Sequence, residues 1–141
     1  MQLFLVSHGQ LAKGMKNSIE MISGKHDNLQ DFSMSETDSP EIIRQRVEKA
    51  IEEHSGEEII LISDFPGGSI NTCLTKLINE RVFLISGMNI MMILELVLEQ
   101  TNKNIQELIE SGIRSAKNSI VLVKLNKEET HNNDIGDDFF D

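Results

Sequence analysis

Short runs of apolar residues alternate along the chain with longer stretches in which apolar residues recur at helical spacing. The clearest short run, Ile59-Ile60-Leu61-Ile62, contains only branched aliphatic residues, which is typical of a strand buried on both faces of a parallel sheet. Strand-like runs are followed by helical patterns, and the connections are short. This order predicts an α/β protein with a mostly parallel sheet, helices on both faces and right-handed crossovers.

The predicted strands and helices occupy the first 125 residues. Strands are predicted at about Gln2 to Ser7, Leu29 to Met34, Glu58 to Asp64, Arg81 to Ser86 and Ser119 to Leu125. Helices are predicted at about Leu11 to Ser23, Pro40 to His54, Ile70 to Ile78, Ile90 to Leu98 and Ile105 to Ala116. We therefore predict one domain, residues 1–125, followed by an acidic tail, residues 126–141, that we expect to be flexible.

The predicted helix from Ile90 to Leu98 is apolar on almost every side. A helix of this kind in a small protein lies either deep in the core or under another subunit, and the sequence leaves both possibilities open.

The formal net charge of -10 at pH 7 argues against nucleic acid as a partner, because phosphate backbones are bound by clustered Lys and Arg residues. No apolar run approaches the roughly 20 residues that a membrane span requires. The first residues also lack the basic region of a signal peptide. We therefore expect a cytoplasmic protein that does not itself span a membrane.

The cysteine and histidine positions argue against metal chemistry. The single cysteine, Cys73, excludes an internal disulfide and a cysteine-based metal site, and its place on an apolar helix face predicts a buried thiol. His26, His54 and His131 lack metal-ligand spacing and are expected to be ordinary surface residues. No P-loop is present, so ATP should not be the phosphoryl source. We expect neither a metal nor a cofactor.

Two polar side chains follow predicted strands at the points where helices are about to begin. His8 ends the first strand, and Asp64 ends the third. Because ligands bind at the carboxyl ends of strands in open α/β sheets, and helix amino termini favour anions, His8 is placed to meet a phosphate. If the two strands are neighbours where the winding direction reverses, His8 and Asp64 would face one another. A neutral imidazole is also a competent nucleophile for phosphoryl transfer.

Three motifs at three strand ends together resemble the mannose-type enzyme IIA component of the bacterial phosphoenolpyruvate-dependent phosphotransferase system, the family that includes mannose, fructose and sorbose components. The resemblance covers about residues 1–125. The motifs are Ser7-His8-Gly9-x-Leu11-Ala12-x-Gly14-Met15, Asp64-Phe65-x-Gly67-Gly68-Ser69 and Ser86-Gly87-x-Asn89. Two positions depart from the family pattern: Phe65-Pro66 stands where Leu-Phe is common, and Met91 where proline is usual.

The resemblance implies that His8 takes a phosphoryl group from the carrier HPr and passes it to an enzyme IIB component. Enzyme IIB would phosphorylate a sugar entering through a membrane permease, with which this protein would associate peripherally. The resemblance also implies a three-layer α/β/α fold with four parallel strands in the order 2-1-3-4. A fifth, antiparallel C-terminal strand would be exchanged in a homodimer.

The family pattern also gives roles to other site residues. Asp64 is implied to hold one ring nitrogen of His8, which would fix the tautomer and stabilise the imidazolium. Ser69 and the backbone of Gly67 and Gly68 are candidates for binding the phosphoryl oxygens. Gly9 and Asn89 are candidates for phosphoryl or partner contact, and complete the residues that we expect at the site.

Each of these residues has a structural alternative. Asp64, Ser69 and Asn89 are all residue types that cap helices, and for Asn89 a cap is as plausible as a place at the rim of the site. Gly67 and Gly68 are equally compatible with a turn that needs positive φ.

Three other functions fit parts of the sequence. The phosphocarrier subunit of dihydroxyacetone kinase resembles this family in fold and phosphohistidine, although the loop from Asp64 to Ser69 resembles the sugar-transport branch. A phosphatase or mutase of the histidine phosphatase kind would have arginine before His-Gly, where this chain has Ser7. A regulatory or nucleotide-binding module could use the same sheet, but His8 and Asp64 together argue against it.

Overall fold

A computed structural model describes residues 1–99 and 103–126. One parallel sheet contains four strands, β1 (Gln2–His8), β2 (Leu29–Met34), β3 (Ile59–Ser63) and β4 (Val82–Ser86). The helices of the described part are α1 (Leu11–Ser23), α2 (Pro40–Glu53), α3 (Ser69–Thr75), α4 (Ile90–Leu98) and α5 (Ile105–Ser119). None of these helices is long and apolar enough to cross a membrane.

The strand order in the sheet is β2-β1-β3-β4, and every neighbouring pair is parallel. The chain moves outward from β1 to β2 and then crosses back to β3 on the other side of β1. The winding direction therefore reverses between β1 and β3, which creates the crevice where ligands bind in folds of this kind. The predicted α/β class and the order 2-1-3-4 are both confirmed.

Two hydrophobic cores lie on opposite faces of the sheet, because side chains alternate along each strand. Leu3 and Leu5 of β1 face one core, which includes side chains of α1, α4 and α5. Phe4 and Val6 face the other, which includes side chains of α2 and α3. The molecule thus has three layers, with the sheet in the middle.

The position of each strand in the sheet explains its sequence pattern. All five residues of β3 are buried, since this strand has neighbours on both sides and helices on both faces. In β2, only Leu29 is fully buried, because this strand lies at the edge of the sheet. Edge exposure accounts for the loose alternation of the second predicted strand.

Helix α4 is apolar because it is covered on two sides. Met92, Ile93 and Leu96 are buried in the same core as residues of the sheet and of α5. Gly112 of α5 brings the two helices close together, since an added Cβ atom would lie 3.2 Å from Cδ2 of Leu96. Met91 remains exposed on the outer side of α4. Burial within the single chain therefore explains most of this helix's composition.

Helix α3 differs from its predicted form. It ends at Thr75, and Leu77 donates its N–H to the carbonyl of Leu74 in the turn that follows. Ile78, predicted as the last residue of the apolar stripe, is exposed. Cys73 is half-buried, so the prediction of a buried thiol is only partly correct.

The segment after α5 lies outside the sheet of the single chain. Helix α5 continues to Ser119, the residue at which a last strand was predicted to begin. Residues 120–125 have no strand pairing within the described chain, and their apolar side chains are between 58% and 87% exposed. The antiparallel strand exchanged with a partner subunit stays a prediction. The predicted tail, beyond Asn126, lies outside the described residues.

Candidate active site

The ends of β1 and β3 bring His8 and Asp64 together. His8 is the last residue of β1, and Asp64 directly follows β3. Oδ2 of Asp64 accepts a hydrogen bond from the backbone N–H of His8 at 2.8 Å and lies 2.7 Å from Nδ1 of the same residue. Two residues that are 56 positions apart in the chain thus meet in the crevice where the winding direction reverses.

Asp64 determines which nitrogen of His8 is available for chemistry. The Asp64 side chain is only 7% exposed and accepts from Nδ1, so the proton of a neutral His8 ring lies on Nδ1. The ring lone pair is then on Nε2. The His8 side chain is 39% exposed, and Oγ of Ser69 lies 3.5 Å from Nε2. The accessible ring nitrogen is therefore the nucleophilic one.

Hydrogen bonds keep Asp64 ionised. Burial acts to raise the pKa of this carboxyl group, because it disfavours the charged form. The backbone N–H and the ring of His8, together with the backbone N–H of Phe65, act in the opposite direction and prevail. The pKa of Asp64 is consequently below its ordinary value, and the group is a carboxylate at neutral pH.

Asp64 does not cap α3, because that helix begins five residues later at Ser69. Gly68 is the N-cap residue of α3, so Ser69 is not the cap either. Gly67 has a φ of 78°, which glycine adopts without strain and which turns the loop between Asp64 and the helix. The capping alternatives for Asp64 and Ser69 are therefore wrong, while the turn explanation fits Gly67.

Phe65 lies against the ring of His8, a contact that the sequence did not predict. The two ring centroids are 5.5 Å apart and the ring planes are inclined by 20°, which is a stacked arrangement. Gly68 provides the space, because a Cβ atom there would lie 2.7 Å from two atoms of the Phe65 ring. The sequence did contain an indication of this contact, namely an aromatic residue directly after Asp64. In the sequence analysis, Phe65 was noted only as a departure from the family pattern.

The turn after His8 leads into α1. Gly9 has a φ of 56° and donates its N–H to the carbonyl of Met34 at 2.8 Å. The buried hydroxyl of Ser7 accepts from the N–H of Ala12 at 2.7 Å, near the start of α1. Gly9 is exposed beside His8, but its N–H is occupied by the bond to β2.

Asn89 caps α4, as one of its two interpretations predicts. Its side-chain oxygen accepts from the N–H groups of Met91 at 2.9 Å and Met92 at 3.2 Å. The loop before it is joined to the end of β3, because Gly87 and Met88 donate their N–H groups to the carbonyl of Ser63. The third motif is thus attached by its backbone to the strand that carries Asp64. A contact of Asn89 with a partner stays a prediction.

A polar network that sequence reasoning missed holds α3 onto the sheet. The side-chain oxygen of Asn71 accepts from the hydroxyl groups of Ser63, at 2.8 Å, and Ser86. The two hydroxyl groups also lie 2.6 Å apart. The sequence could have indicated part of this network, because Ser63 and Ser86 are the last residues of two strands that pair in register. This network fixes the far end of the loop that carries Asp64 and Phe65.

The other two histidines that the structure describes, His26 and His54, form contacts away from this site. His26 lies 2.7 Å from the hydroxyl of Ser23, and His54 lies 2.7 Å from the carboxylate of Glu57. His131 lies outside the described residues. Within residues 1–99 and 103–126, no cluster of three or more His, Cys, Asp or Glu residues could hold a metal ion.

The fold and the site define an α/β protein with a carboxylate-bound, accessible histidine at the switch point of a parallel sheet. Residues 2–113 match the family model of the PTS system fructose IIA component. The chain therefore belongs to this family of IIA components of the sugar phosphotransferase system, and its role is in phosphoryl transfer within that system. The predicted resemblance is confirmed.

Individual relatives agree with this assignment. The chain is 24% identical over 111 residues to the sorbose-specific EIIA component from Lacticaseibacillus casei, a match that covers 77% of this chain and 80% of the relative. The mannose/sorbose-specific IIA subunit from Enterococcus faecalis has the same fold, with a TM-score of 0.82, 20% identity and coverage of 89% and 96%.

The fold is not confined to proteins described as IIA components. A sigma-54 interaction domain protein from Enterococcus faecalis also has it, with a TM-score of 0.68, 18% identity and coverage of 83% of this chain and 90% of that one. The site residues, and not the fold alone, must therefore carry any finer assignment of function.

Proposed function

We propose that this chain is a phosphocarrier, in which Nε2 of His8 accepts a phosphoryl group from phospho-HPr and passes it to an enzyme IIB component. Enzyme IIB then phosphorylates a sugar that enters through a membrane permease. The observation that carries the proposal is the 2.7 Å contact between Nδ1 of His8 and Oδ2 of Asp64, which puts the ring lone pair on Nε2. Membership in the IIA family supports the same role.

The bonds that change in the transfer step join phosphorus to two histidine rings, that of the donor and that of His8. The Asp64 carboxylate stabilises the charge that develops. The Nε2 lone pair attacks phosphorus and forms the new N–P bond, while the bond to the donor's histidine nitrogen breaks and leaves its electron pair there. The ring of His8 keeps its proton on Nδ1 and becomes a phosphorylated imidazolium. Asp64 offsets this positive charge, as the aspartate does in hydrolase triads. Onward transfer returns the N–P electron pair to Nε2 and leaves the ring neutral.

Phosphoryl transfer depends mainly on alignment and charge stabilisation, so donors to the phosphoryl oxygens are sought among the residues near Nε2. We assign Ser69 as a donor to a phosphoryl oxygen, because its hydroxyl lies 3.5 Å from Nε2. The backbone N–H groups of Gly67 and Gly68 are the other proposed donors. Gly9 and Asn89 are proposed as contacts for the protein partners, on the loops that follow β1 and β4.

We further propose that the protein acts as a cytoplasmic homodimer, associated peripherally with the membrane components IIC and IID of the permease. Support for the dimer comes from residues 120–125, whose apolar side chains are exposed, and from the free edge of β4. A groove of about 500 Å³ lies beside that edge and is lined mainly by apolar side chains, including Ile85, Ile109 and Ile113. A strand from a partner subunit would cover both.

Solution mass tests the dimer. Leu122→Glu places a charge in the proposed exchanged strand and is expected to halve the mass measured by light scattering. Lys25→Glu, on an exposed residue in the loop after α1, should leave the mass unchanged. A native protein of monomeric mass would contradict the proposal.

The phosphocarrier role is tested by incubating the protein with labelled phosphoenolpyruvate, enzyme I and HPr. We expect an acid-labile label on the native chain and none on His8→Ala. His26→Ala is the matched control, because His26 lies at the other end of α1 and contacts Ser23. An unlabelled native chain, or undiminished label on His8→Ala, would overturn the proposal.

A further inference from the structure

We propose that Phe65 is a positioning residue that stacks on the imidazole of His8 and prolongs the life of the phosphorylated form. The inference rests on the proposed function of His8. It begins from the stacked arrangement of the two rings, with centroids 5.5 Å apart. Phe65 is 51% exposed, so it is not a core side chain.

The loop is built to hold this aromatic ring over His8. The N–H of Phe65 donates to Oδ1 of Asp64 at 3.0 Å, while Oδ2 of the same carboxylate binds His8. One carboxylate therefore fixes the backbone of the stacking residue and the ring on which it stacks. Gly68 lies under the Phe65 ring and leaves it room, since a Cβ atom there would be 2.7 Å from two ring atoms.

Stacking has two consequences for a phosphorylated His8. The negative face of an aromatic ring attracts a cation, and the phosphorylated ring of His8, protonated on Nδ1, is an imidazolium. The Phe65 ring also covers one face of the imidazole and excludes water from that side. Both effects favour the loaded form over its hydrolysis. Asp64 and Phe65 thus act on different parts of the ring, one on an edge and one on a face.

The test compares the lifetime of the N–P bond in matched variants after chemical phosphorylation of His8 with phosphoramidate, which requires no protein partner. Phe65→Leu keeps an apolar side chain but removes the aromatic face, and we expect it to shorten the half-life by about threefold or more. Phe65→Tyr keeps the face and should restore the native half-life. An unchanged half-life in Phe65→Leu would overturn the inference.

Gly68→Ala provides an independent way to move the ring. Its Cβ atom should displace the Phe65 ring from His8, while the backbone N–H at position 68 is retained. We expect a shorter half-life in this variant, and no further shortening when it is combined with Phe65→Leu. Equal effects of Gly68→Ala in the native and Phe65→Leu backgrounds would show that the ring is not involved, and would overturn the inference.

Proton chemical shifts of the His8 ring report the stacking directly. A ring stacked at this distance should shift these signals, and the shift should be lost in Phe65→Leu and Gly68→Ala but kept in Phe65→Tyr.

Failure of the proposed function is distinguishable from failure of this inference. Native protein that is phosphorylated by phosphoramidate but not by phospho-HPr would reject the carrier role, while the effect of Phe65 on the half-life would still be measured.

Discussion

His8 is bound to Asp64 through both its backbone and its side chain, and both hydrogen bonds end on the same oxygen, Oδ2. The other oxygen, Oδ1, accepts from the N–H of Phe65. The two groups of His8 and the N–H of Phe65 each require an acceptor, so both side-chain oxygens of Asp64 are needed. This arrangement fixes the position of His8 in the strand and the orientation of its ring at the same time.

Asp64→Asn should therefore slow phosphoryl transfer strongly. An amide has only one acceptor oxygen, so its NH₂ group must face either His8 or Phe65, and it cannot offset the imidazolium charge. We expect the rate of labelling from phospho-HPr to fall by about 10²-fold or more, as for loss of a positioned acid or base. Asp27→Asn, on an exposed residue before β2, is the matched control. A rate near that of the control would remove Asp64 from the mechanism.

The low pKa of Asp64 makes the stability of the protein depend on pH. Because this pKa is depressed in the folded state, the contribution of Asp64 is fully present above the pKa of an unfolded Asp, about 3.9, and is lost as the pH falls through the folded value. The difference in unfolding free energy between native and Asp64→Asn should thus be larger at pH 6 than at pH 3, as measured by urea unfolding. A difference that grows on acidification would contradict this.

Replacing Asn89 tests its contribution as a helix cap. Asn89→Ala leaves the N–H groups of Met91 and Met92 without their acceptor, and we expect the unfolding free energy to fall by about 1 kcal/mol. Asn89→Asp retains an acceptor at the start of α4 and should keep most of the stability. Equal losses in the two variants, measured by urea unfolding, would show that capping is not the source of the effect.

Packing of α5 on α4 depends on the absence of a side chain at Gly112. Gly112→Val would place atoms against Leu96 and Met92, and we expect a loss of about 1–3 kcal/mol in unfolding free energy from overpacking. Gly14→Val is the matched control, because Gly14 lies in α1 with no atom within 4 Å of an added Cβ. That control should change stability by less than about 0.5 kcal/mol. A similar loss at both positions would show that contact with Leu96 and Met92 is not the source of the effect at Gly112.

The sheet and the meeting of His8 with Asp64 could be predicted because they follow from simple regularities. Parallel strands end at the same edge of a sheet, so residues that end neighbouring strands must lie close together. The strand order itself came from the family resemblance. The role of Asn89 as a cap was also foreseeable, since asparagine before an apolar run is typical of a helix start.

Other features could not be read from the sequence because they depend on three-dimensional space. The stacking of Phe65 on His8 requires the room above Gly68, which no local pattern reveals. Helix α3 was predicted too long, because Ile78 continues the helical spacing although the chain has already entered a turn. For residues 120–126, pairing with a second subunit is a question that one chain's pattern does not answer.

The hydrogen bonds between His8 and Asp64 have a consequence for recognition by partners. Both bonds involve the backbone N–H or Nδ1, and neither uses Nε2. On the proposed function, loading therefore does not require these bonds to break, and the empty and loaded proteins should share one shape. A donor and an acceptor would then distinguish the two forms by the phosphoryl group itself, which adds negative charge and acceptor oxygens at a single point on a common surface.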